Sequence, residues 1–476
     1  MHGCLTAPRA EPHLGRHLTF TSIEFVPFLL VVLVVHAAVA GRHDGARRAV
    51  LLVASLVFFA SWTPTALPYL VATIAVVYLA ARGVRRDAPT SRRRIALVLG
   101  LGWLFGSLAY YKYRLPVLTS LGLGDETARW IAVPIGISYV TFLGASHLID
   151  VFRGAMPARR RLADVALHLS LFPYVLAGPI VRARQLMPQL EHPRRPSVAD
   201  VELAIGRIVV GLVKKIVLAD ALAGYTDGVF LDPGVHPAGN LLLATYAYAF
   251  QLYFDFSGYC DMAIGIAALF GITLPENFRR PYLATSIRDF WQRWHITLYS
   301  WLRDYLFLSL VALGRNRREP WRIALYSIVT MGLAGLWHGP RWSFVAWGLY
   351  HGALLGWEIF RPARTGASGR ALWWQRARTF HLVCIGLIIF RVERLTDLAG
   401  FAGGVLRPSF EGSGEAATAA AIVALGAALH LSLPADGAPR RLAALSPPLQ
   451  GLVYAGMVVA CIALSRHTSP FIYAGF

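Results

Sequence analysis

The chain has 476 residues, 56% of them hydrophobic and only 15% charged, and its mean hydropathy is +0.51. Soluble domains carry about a quarter charged residues, and a single core stops growing near ~250 to 300 residues, so a water-soluble enzyme is excluded and an integral membrane protein indicated. The formal net charge of +20 comes from short Arg runs between apolar stretches rather than one basic face, which reads as membrane topology with attraction to anionic lipid headgroups, not as nucleic-acid binding.

Residues 1–17 are polar and show no ordered charged, apolar and cleavage regions, so they read as an N-terminal extension and not as a signal peptide. Crossing ~30 Å of hydrocarbon takes about 20 apolar residues. Candidate stretches lie at roughly 23–40, 49–63, 66–81, 95–111, 130–149, 163–181, 203–222, 239–254, 258–274, 321–337, 343–360, 379–391, 415–433 and 450–465. Several are short or broken, so the pattern predicts an all-α polytopic protein with ten to twelve crossings, the remaining segments being re-entrant or interfacial. Stretch 163–181 holds His168, Pro173, Gly178 and Pro179 between basic flanks and is expected to be re-entrant. The longer loops are 182–202, 223–238, 361–378 and 434–449, and there is no internal repeat, so residues 18–476 read as one transmembrane domain.

Loops 41–48 and 82–94 together hold nine Arg and the turn at Thr63–Thr65 holds none, which makes the Arg-rich side cytoplasmic and puts the N-terminus outside. The four cysteines, Cys4, Cys260, Cys384 and Cys461, are scattered and suggest neither a disulfide framework nor a zinc site.

Chemistry concentrates in two places. Asp255 and Asp261 lie inside an apolar run, where an ionised carboxylate is costly and is either functional or paired with a neighbouring helix. From Ser286 onward Trp291, Trp294, His295, Leu298, Trp301, Leu302 and Tyr305 recur at three- and four-residue spacing, which predicts one amphipathic helix lying at the headgroup level. The second place is WRIALYSIVTMGLAGLWHGPRW, where Trp321–Trp337 is continuous enough to bury, His338 ends the run, and Gly339 with Pro340 stops the helix. Burial and a helix C-terminus act in opposite directions on an imidazole, which suits His338 to proton abstraction. His295 and His338 are two ligands without a clear third, so no metal is expected, and nucleophile-elbow and nucleotide-loop motifs are missing.

The segments PIGISYVTFLGASHLIDVFRG (134–154), LFPYVLAGPIVRARQLMPQL (171–190), YFDFSGYCDMAIGIAALFGITLPENFRRPYLATSIRDFWQRWHITL (253–298) and GLWHG (335–339) resemble the membrane-bound O-acyltransferase (MBOAT) family. Within it they are most similar to the bacterial polysaccharide branch that contains the alginate O-acetyltransferase membrane subunits. The resemblance runs from LTFTSIEF near Leu18 to the terminal PFIYAGF. Members tend to begin close to LTFTSIEF, which fits an over-extended start at residues 1–17. After Leu308 the branch usually continues with a Pro-Leu-Gly-Gly element, whereas this chain reads SLVALGRNRREP.

The resemblance implies a catalytic core at about 130–360, with His338 as catalytic base and His295 as second active-site histidine. Asp255, Asp261, Trp291, Trp294 and Trp337 are the expected neighbours of a donor and acceptor tunnel. It further implies transfer of an acetyl group from a cytoplasmic thioester, acetyl-CoA, with no bound cofactor, for O-acetylation of an exported polysaccharide such as alginate. The expected partners are membrane lipids, a periplasmic esterase-like (SGNH) acetyltransferase and the polysaccharide export machinery, in the inner membrane. Two alternatives stand beside this: D-alanyl or other acyl transfer within the family, and a secondary transporter or flippase, since buried Asp and His also mark ion pathways.

Overall fold

The structure is a computed structural model and describes residues 17–39, 44–121, 133–158, 161–313, 319–361, 366–433, 437–465 and 471–472, all helix, turn or coil with no strand among them. The extension at 1–16 lies outside the described residues. The first helices in chain order are α1 (Phe25–Val39), α2 (Asp44–Trp62), α3 (Leu67–Gly83), α4 (Thr90–Ser120), α5 (Ile137–Arg153), α6 (Leu162–Ser170) and α7 (Ala183–Glu191). They are followed by α8 (Val198–Leu212), α9 (Asp220–Leu231), α10 (Ala238–Leu269), α11 (Ile287–Trp291), α12 (Ile296–Trp301) and α13 (Leu308–Leu313). The last are α14 (Pro320–His338), α15 (Trp342–Ile359), α16 (Gly369–Arg391), α17 (Asp397–Val405), α18 (Gly414–Ser432), α19 (Gly437–Ala443) and α20 (Pro447–Leu464).

Among the described residues six segments are long and apolar enough to cross a membrane: Gly45–Trp62, Pro64–Gly83, Thr90–Ser120, Ile296–Leu313, Gly414–Ser432 and Pro447–Leu464. Their outward faces carry bare apolar side chains, such as Val98 and Leu99 on α4 and Leu452 and Ile462 on α20, as lipid contact demands. α10 is a different kind of helix. Its stretch from Ala247 to Ala267 is buried throughout inside the protein and is not required to be uniformly apolar.

Four sequence expectations change. The stretches 239–254 and 258–274 are one helix, α10, because Ser257-Gly258 is a contact point and not a break. A Cβ on Gly258 would come within 2.8 Å of the Gly211 carbonyl oxygen, and one on Gly211 within 2.6 Å of the Gly258 carbonyl oxygen, so the two glycines let α8 and α10 touch backbone to backbone. α4 runs through Pro116 to Ser120, beyond the expected end near 111. The four longer loops contain the short helices α7, α9, α19 and the first part of α16. The amphipathic helix from Ser286 is broken into α11 and α12, and its aromatic residues are buried core instead of headgroup-level anchors.

The segment expected to be re-entrant has the form that its prolines and glycine predict. α6 is nine residues, about 14 Å, and cannot span; the backbone then leaves the helix at Leu171 and stays buried through Val181. Buried irregular backbone must find partners inside the protein. Phe172 N–H donates to Ser55 Oγ at 3.2 Å, Ile180 N–H to Thr297 Oγ1 at 2.9 Å, and the Tyr174 hydroxyl to the His168 carbonyl at 2.8 Å.

Candidate active site

His338 owes its place to the α14–α15 hairpin. The two helices pack against each other through small residues: a Cβ on Gly335 would strike the Phe344 carbonyl, and one on Gly348 the Met331 carbonyl. α14 ends on His338, the chain turns through extended Gly339 and Pro340, and α15 begins at Trp342. The imidazole is 2% exposed and ringed by aromatics, with centroids at 4.8 Å to Trp337, 5.2 Å to Trp347, 5.2 Å to Phe390 and 6.0 Å to Phe344.

The helix end beneath it is held from α4. Lys112 Nζ donates to the Trp337 carbonyl at 2.6 Å and lies 5.4 Å from the Trp337 ring centroid, and the Tyr113 hydroxyl donates to the Leu336 carbonyl. A cation and a hydroxyl thus satisfy terminal carbonyls that a helix leaves without partners. Trp337 itself stacks on Phe142 at 5.0 Å, which stacks on Trp301 at 4.2 Å.

His295 sits in the break between α11 and α12 with φ 42° and ψ 53°, in the left-handed region where a non-glycine residue costs about 1–2 kcal/mol. Asn277 holds it there. The backbone amide of Thr297 can only donate, and its partner at 3.1 Å is Asn277 Oδ1, so this atom is an acceptor and His295 Nδ1, 3.2 Å away, donates to it. The proton therefore sits on Nδ1, and Nε2 carries the lone pair. Asn277 Oδ1 also accepts from the Thr297 hydroxyl at 2.9 Å, Asn277 Nδ2 donates to Cys260 Sγ at 3.2 Å, and the Asn277 carbonyl accepts from Ile296 N–H at 3.0 Å. Strain at a locked position of this kind points to function. His295 packs edge-on to Phe256 at 4.6 Å and is an electrostatic neighbour of His338, as is Lys112.

The structure thus brings His338, His295, Trp291, Trp294 and Trp337 into one buried aromatic region. Trp294 lies 5.1 Å from Phe278, and Trp291 lies 5.7 Å from Trp347, which in turn faces His338. The two aspartates are engaged elsewhere. Asp255 accepts from Lys215 Nζ at 2.7 Å and from Ile472 N–H at 2.9 Å, with Asp220 2.8 Å from the same ammonium. Asp261 accepts from Lys214 Nζ at 2.6 Å and Arg207 Nε at 3.0 Å, while Arg207 forks onto Glu276 at 2.7 and 2.5 Å. These are the helix-to-helix pairs that buried carboxylates usually make; the second network also anchors the segment leading into Asn277.

Beside this region lies a cavity of about 980 Å³ between α11–α12 and α14–α16. Arg288, Arg303, Arg361 and Arg378 line it together with Trp357 and Trp374, and Thr330, Met331 and Leu355 form its inner wall. Asp255 and Asp261 do not line it. Asn277, Lys112 and His351 carry parts of the site that sequence reasoning missed. Asn277 left no periodic signal, whereas His351 stands four residues from Trp347 and from Leu355 on one face of α15.

The family model described as the membrane-bound O-acyltransferase family matches residues 158–362, which include both histidines and the cavity wall except its Trp374, Gln375 and Arg378. The chain is 40% identical over 366 residues to the probable alginate O-acetylase AlgI of Azotobacter vinelandii, an alignment covering 73% of this chain and 70% of the relative. It is 39% identical to the probable alginate O-acetylase AlgI of Pseudomonas aeruginosa, over 73% of this chain and 68% of the relative. The peptidoglycan O-acetyltransferase of Helicobacter pylori is 36% identical, over 64% and 63% of the two chains. Likeness of this extent to acyl-transferring relatives replaces the transporter or flippase reading. A buried histidine pair, on a polytopic helical scaffold that matches O-acetylating relatives over two thirds of both chains, places this protein in the membrane-bound O-acyltransferase family as an O-acyltransferase.

Proposed function

We propose that this chain moves acetyl groups from cytoplasmic acetyl-CoA across the inner membrane for O-acetylation of an exported polysaccharide such as alginate, with His338 as the general base. The observation that carries the reading is that His338 and His295 are both buried in one connected set of aromatic rings next to the arginine-lined cavity. Four guanidinium groups suit the phosphates of a charged thioester, and the Trp357 and Trp374 faces suit its adenine. The names of the relatives, alginate O-acetylase and peptidoglycan O-acetyltransferase, support a polysaccharide as final acceptor.

A hydroxyl has a pKa far above 7 and needs a base to attack a thioester. In the proposed step a His338 nitrogen takes the hydroxyl proton as the oxygen bonds to the thioester carbonyl carbon. The carbon–sulfur bond then breaks, and the leaving sulfur takes that proton, which returns His338 to its neutral form. His295, its tautomer fixed by Asn277, offers the lone pair of Nε2 as an acceptor for a second donor of the bound acceptor molecule, such as a neighbouring hydroxyl, and so orients it. The Arg-rich loops 82–94 and 153–161 face the cytoplasm in this reading, and the N-terminus lies outside. A periplasmic esterase-like transferase, working with the export machinery, receives the acyl group.

The test is His338→Ala. Transfer from acetyl-CoA should fall at least ~100-fold while the protein inserts and accumulates normally, since general-base catalysis typically contributes 100- to 10,000-fold. Near-wild-type acyl content in cells carrying that variant would sink the mechanism.

A further inference from the structure

The re-entrant segment 171–181 and the histidine of the α11–α12 break meet at one hydroxyl. Thr297 is buried and stands two residues beyond His295, in the first turn of α12. Ile180 N–H can only donate, so Thr297 Oγ1 accepts from it at 2.9 Å, and the single proton of that hydroxyl is left for Asn277 Oδ1, also at 2.9 Å. Asn277 Oδ1 is the atom that accepts from His295 Nδ1 at 3.2 Å. The order Ile180, Thr297, Asn277, His295 is thus an unbroken series of hydrogen bonds from the buried backbone of the segment to the imidazole.

The segment at the far end of this series is itself held. The Val181 carbonyl accepts from His168 Nε2 at 3.0 Å, and the guanidinium of Arg182 lies 4.6 Å from the Tyr305 ring centroid, 3.4 Å from Ser300 Oγ and 4.0 Å from Asp304 Oδ2. Thr297, Ser300 and Asp304 follow one another at three- and four-residue spacing, so one face of the helix that begins at Ile296 lies along the segment and its end. His295 keeps a left-handed backbone with φ 42°, and such strain persists only where the surroundings over-determine it. Three donors converge on Asn277 Oδ1: Thr297 N–H, Thr297 Oγ1 and His295 Nδ1. The two N–H groups each place their one proton there, so it is the hydroxyl, which also accepts, that links the turn to another element.

We propose that Thr297 is a positioning residue of the transfer reaction. Its hydroxyl fixes Asn277, and through Asn277 the His295 imidazole, against the re-entrant segment, which makes that segment part of the machinery that orients the acceptor. The inference rests on the acetyl-transfer reading above and deepens it.

Membrane vesicles from the polymer-producing host, its own copy of this chain replaced by the wild type or a variant, are supplied with labelled acetyl-CoA over a range of concentrations, and the label reaching polymer is read. Thr297→Val should lower the maximal rate at least ~10-fold, since a misplacement of about 1 Å can cost ~100-fold. The KM for acetyl-CoA should move less than about twofold, because the donor site is untouched. Thr297→Ser keeps the hydroxyl and should restore most of the rate. In a His295→Ala background Thr297→Val should cost less than about twofold more, because the hydroxyl acts through that imidazole. Thr297→Ser and Thr297→Ala differ by the hydroxyl alone and repeat the comparison should the valine variant accumulate poorly. A full rate in Thr297→Val, a serine variant as slow as the valine one, or losses that multiply with His295→Ala overturns the inference. Failure of both hydroxyl-free variants to accumulate also overturns it, since Thr297 would then serve folding alone. A wild type that transfers no acetyl from acetyl-CoA overturns the acetyl-transfer reading itself, which is a distinguishable result.

Discussion

A single amide decides how His295 can act. Because Asn277 Oδ1 accepts from His295 Nδ1 and from Thr297, the imidazole is held in one tautomer and one orientation inside a left-handed turn. His295→Ala should therefore lower transfer at least ~10-fold, more mildly than His338→Ala, with protein levels unchanged; loss of membrane protein in place of rate would mark His295 as purely structural. Asn277→Leu should cost a similar factor, and the Asn277→Leu/His295→Ala double variant should be no slower than the slower single one, since the two residues act as a unit. A multiplicative double variant in a kinetic cycle would separate them. Lys112 presents a different case: it holds the carbonyl next to His338 rather than the imidazole. Lys112→Met should slow turnover about tenfold with KM little changed, matching the ~1–2 kcal/mol of a partly buried cation at a helix C-terminus, and Lys112→Arg should restore most of it.

At the scale of elements, the α14–α15 hairpin sets where His338 stands. Gly348→Leu would drive a branched side chain into the Met331 carbonyl, an overpacking that typically costs about 1–3 kcal/mol or more where backbone cannot yield. The detergent-purified variant should melt several degrees lower and lose transfer; an unshifted melting curve would show that the helices have room to part. This hairpin was legible in the sequence, since an unbroken apolar run followed by His-Gly-Pro dictates both the helix and its end. The helix from Ser286 was not. Its aromatic spacing fits one face at 3.6 residues per turn, yet the chain leaves the helix at Gln292–His295, where Arg279 N–H bonds the Arg293 carbonyl at 2.9 Å and Asn277 captures the turn. Those partners lie 14 and 18 residues away, and local periodicity cannot report them. The same limit explains why Trp291, Trp294 and Trp301 read as interfacial: what buries them is packing from α5, α10, α15 and α16, which is set by tertiary structure. Asp255 and Asp261 show the converse. Sequence alone marked them as either functional or paired, and the partners that settle it, Lys215, Lys214 and Arg207, stand 40 to 54 residues upstream.

For the whole molecule, the described residues form a helical body with six segments long and apolar enough to cross a membrane, and the proposed reading leaves the polymer chemistry to a partner outside it. With purified chain in liposomes, acetyl-CoA on the arginine-rich side and polymer on the other, acetylation should stay near background until the exported transferase is added. Efficient acetylation by the chain alone would return the entire reaction to it.

The rings that surround His338 have one more consequence. The base role proposed for His338 carries a hazard, because a base able to take a proton from a hydroxyl can take one from water, which is far more abundant and far smaller. Trp337, Phe344, Trp347 and Phe390 close around the imidazole and leave it 2% exposed, so bulk solvent does not compete for the thioester. An enzyme so enclosed can wait, loaded, for a slow acceptor without wasting its donor. Under the mechanism proposed above, opening that wall would convert an idle transferase into a thioesterase that drains its donor between acceptors.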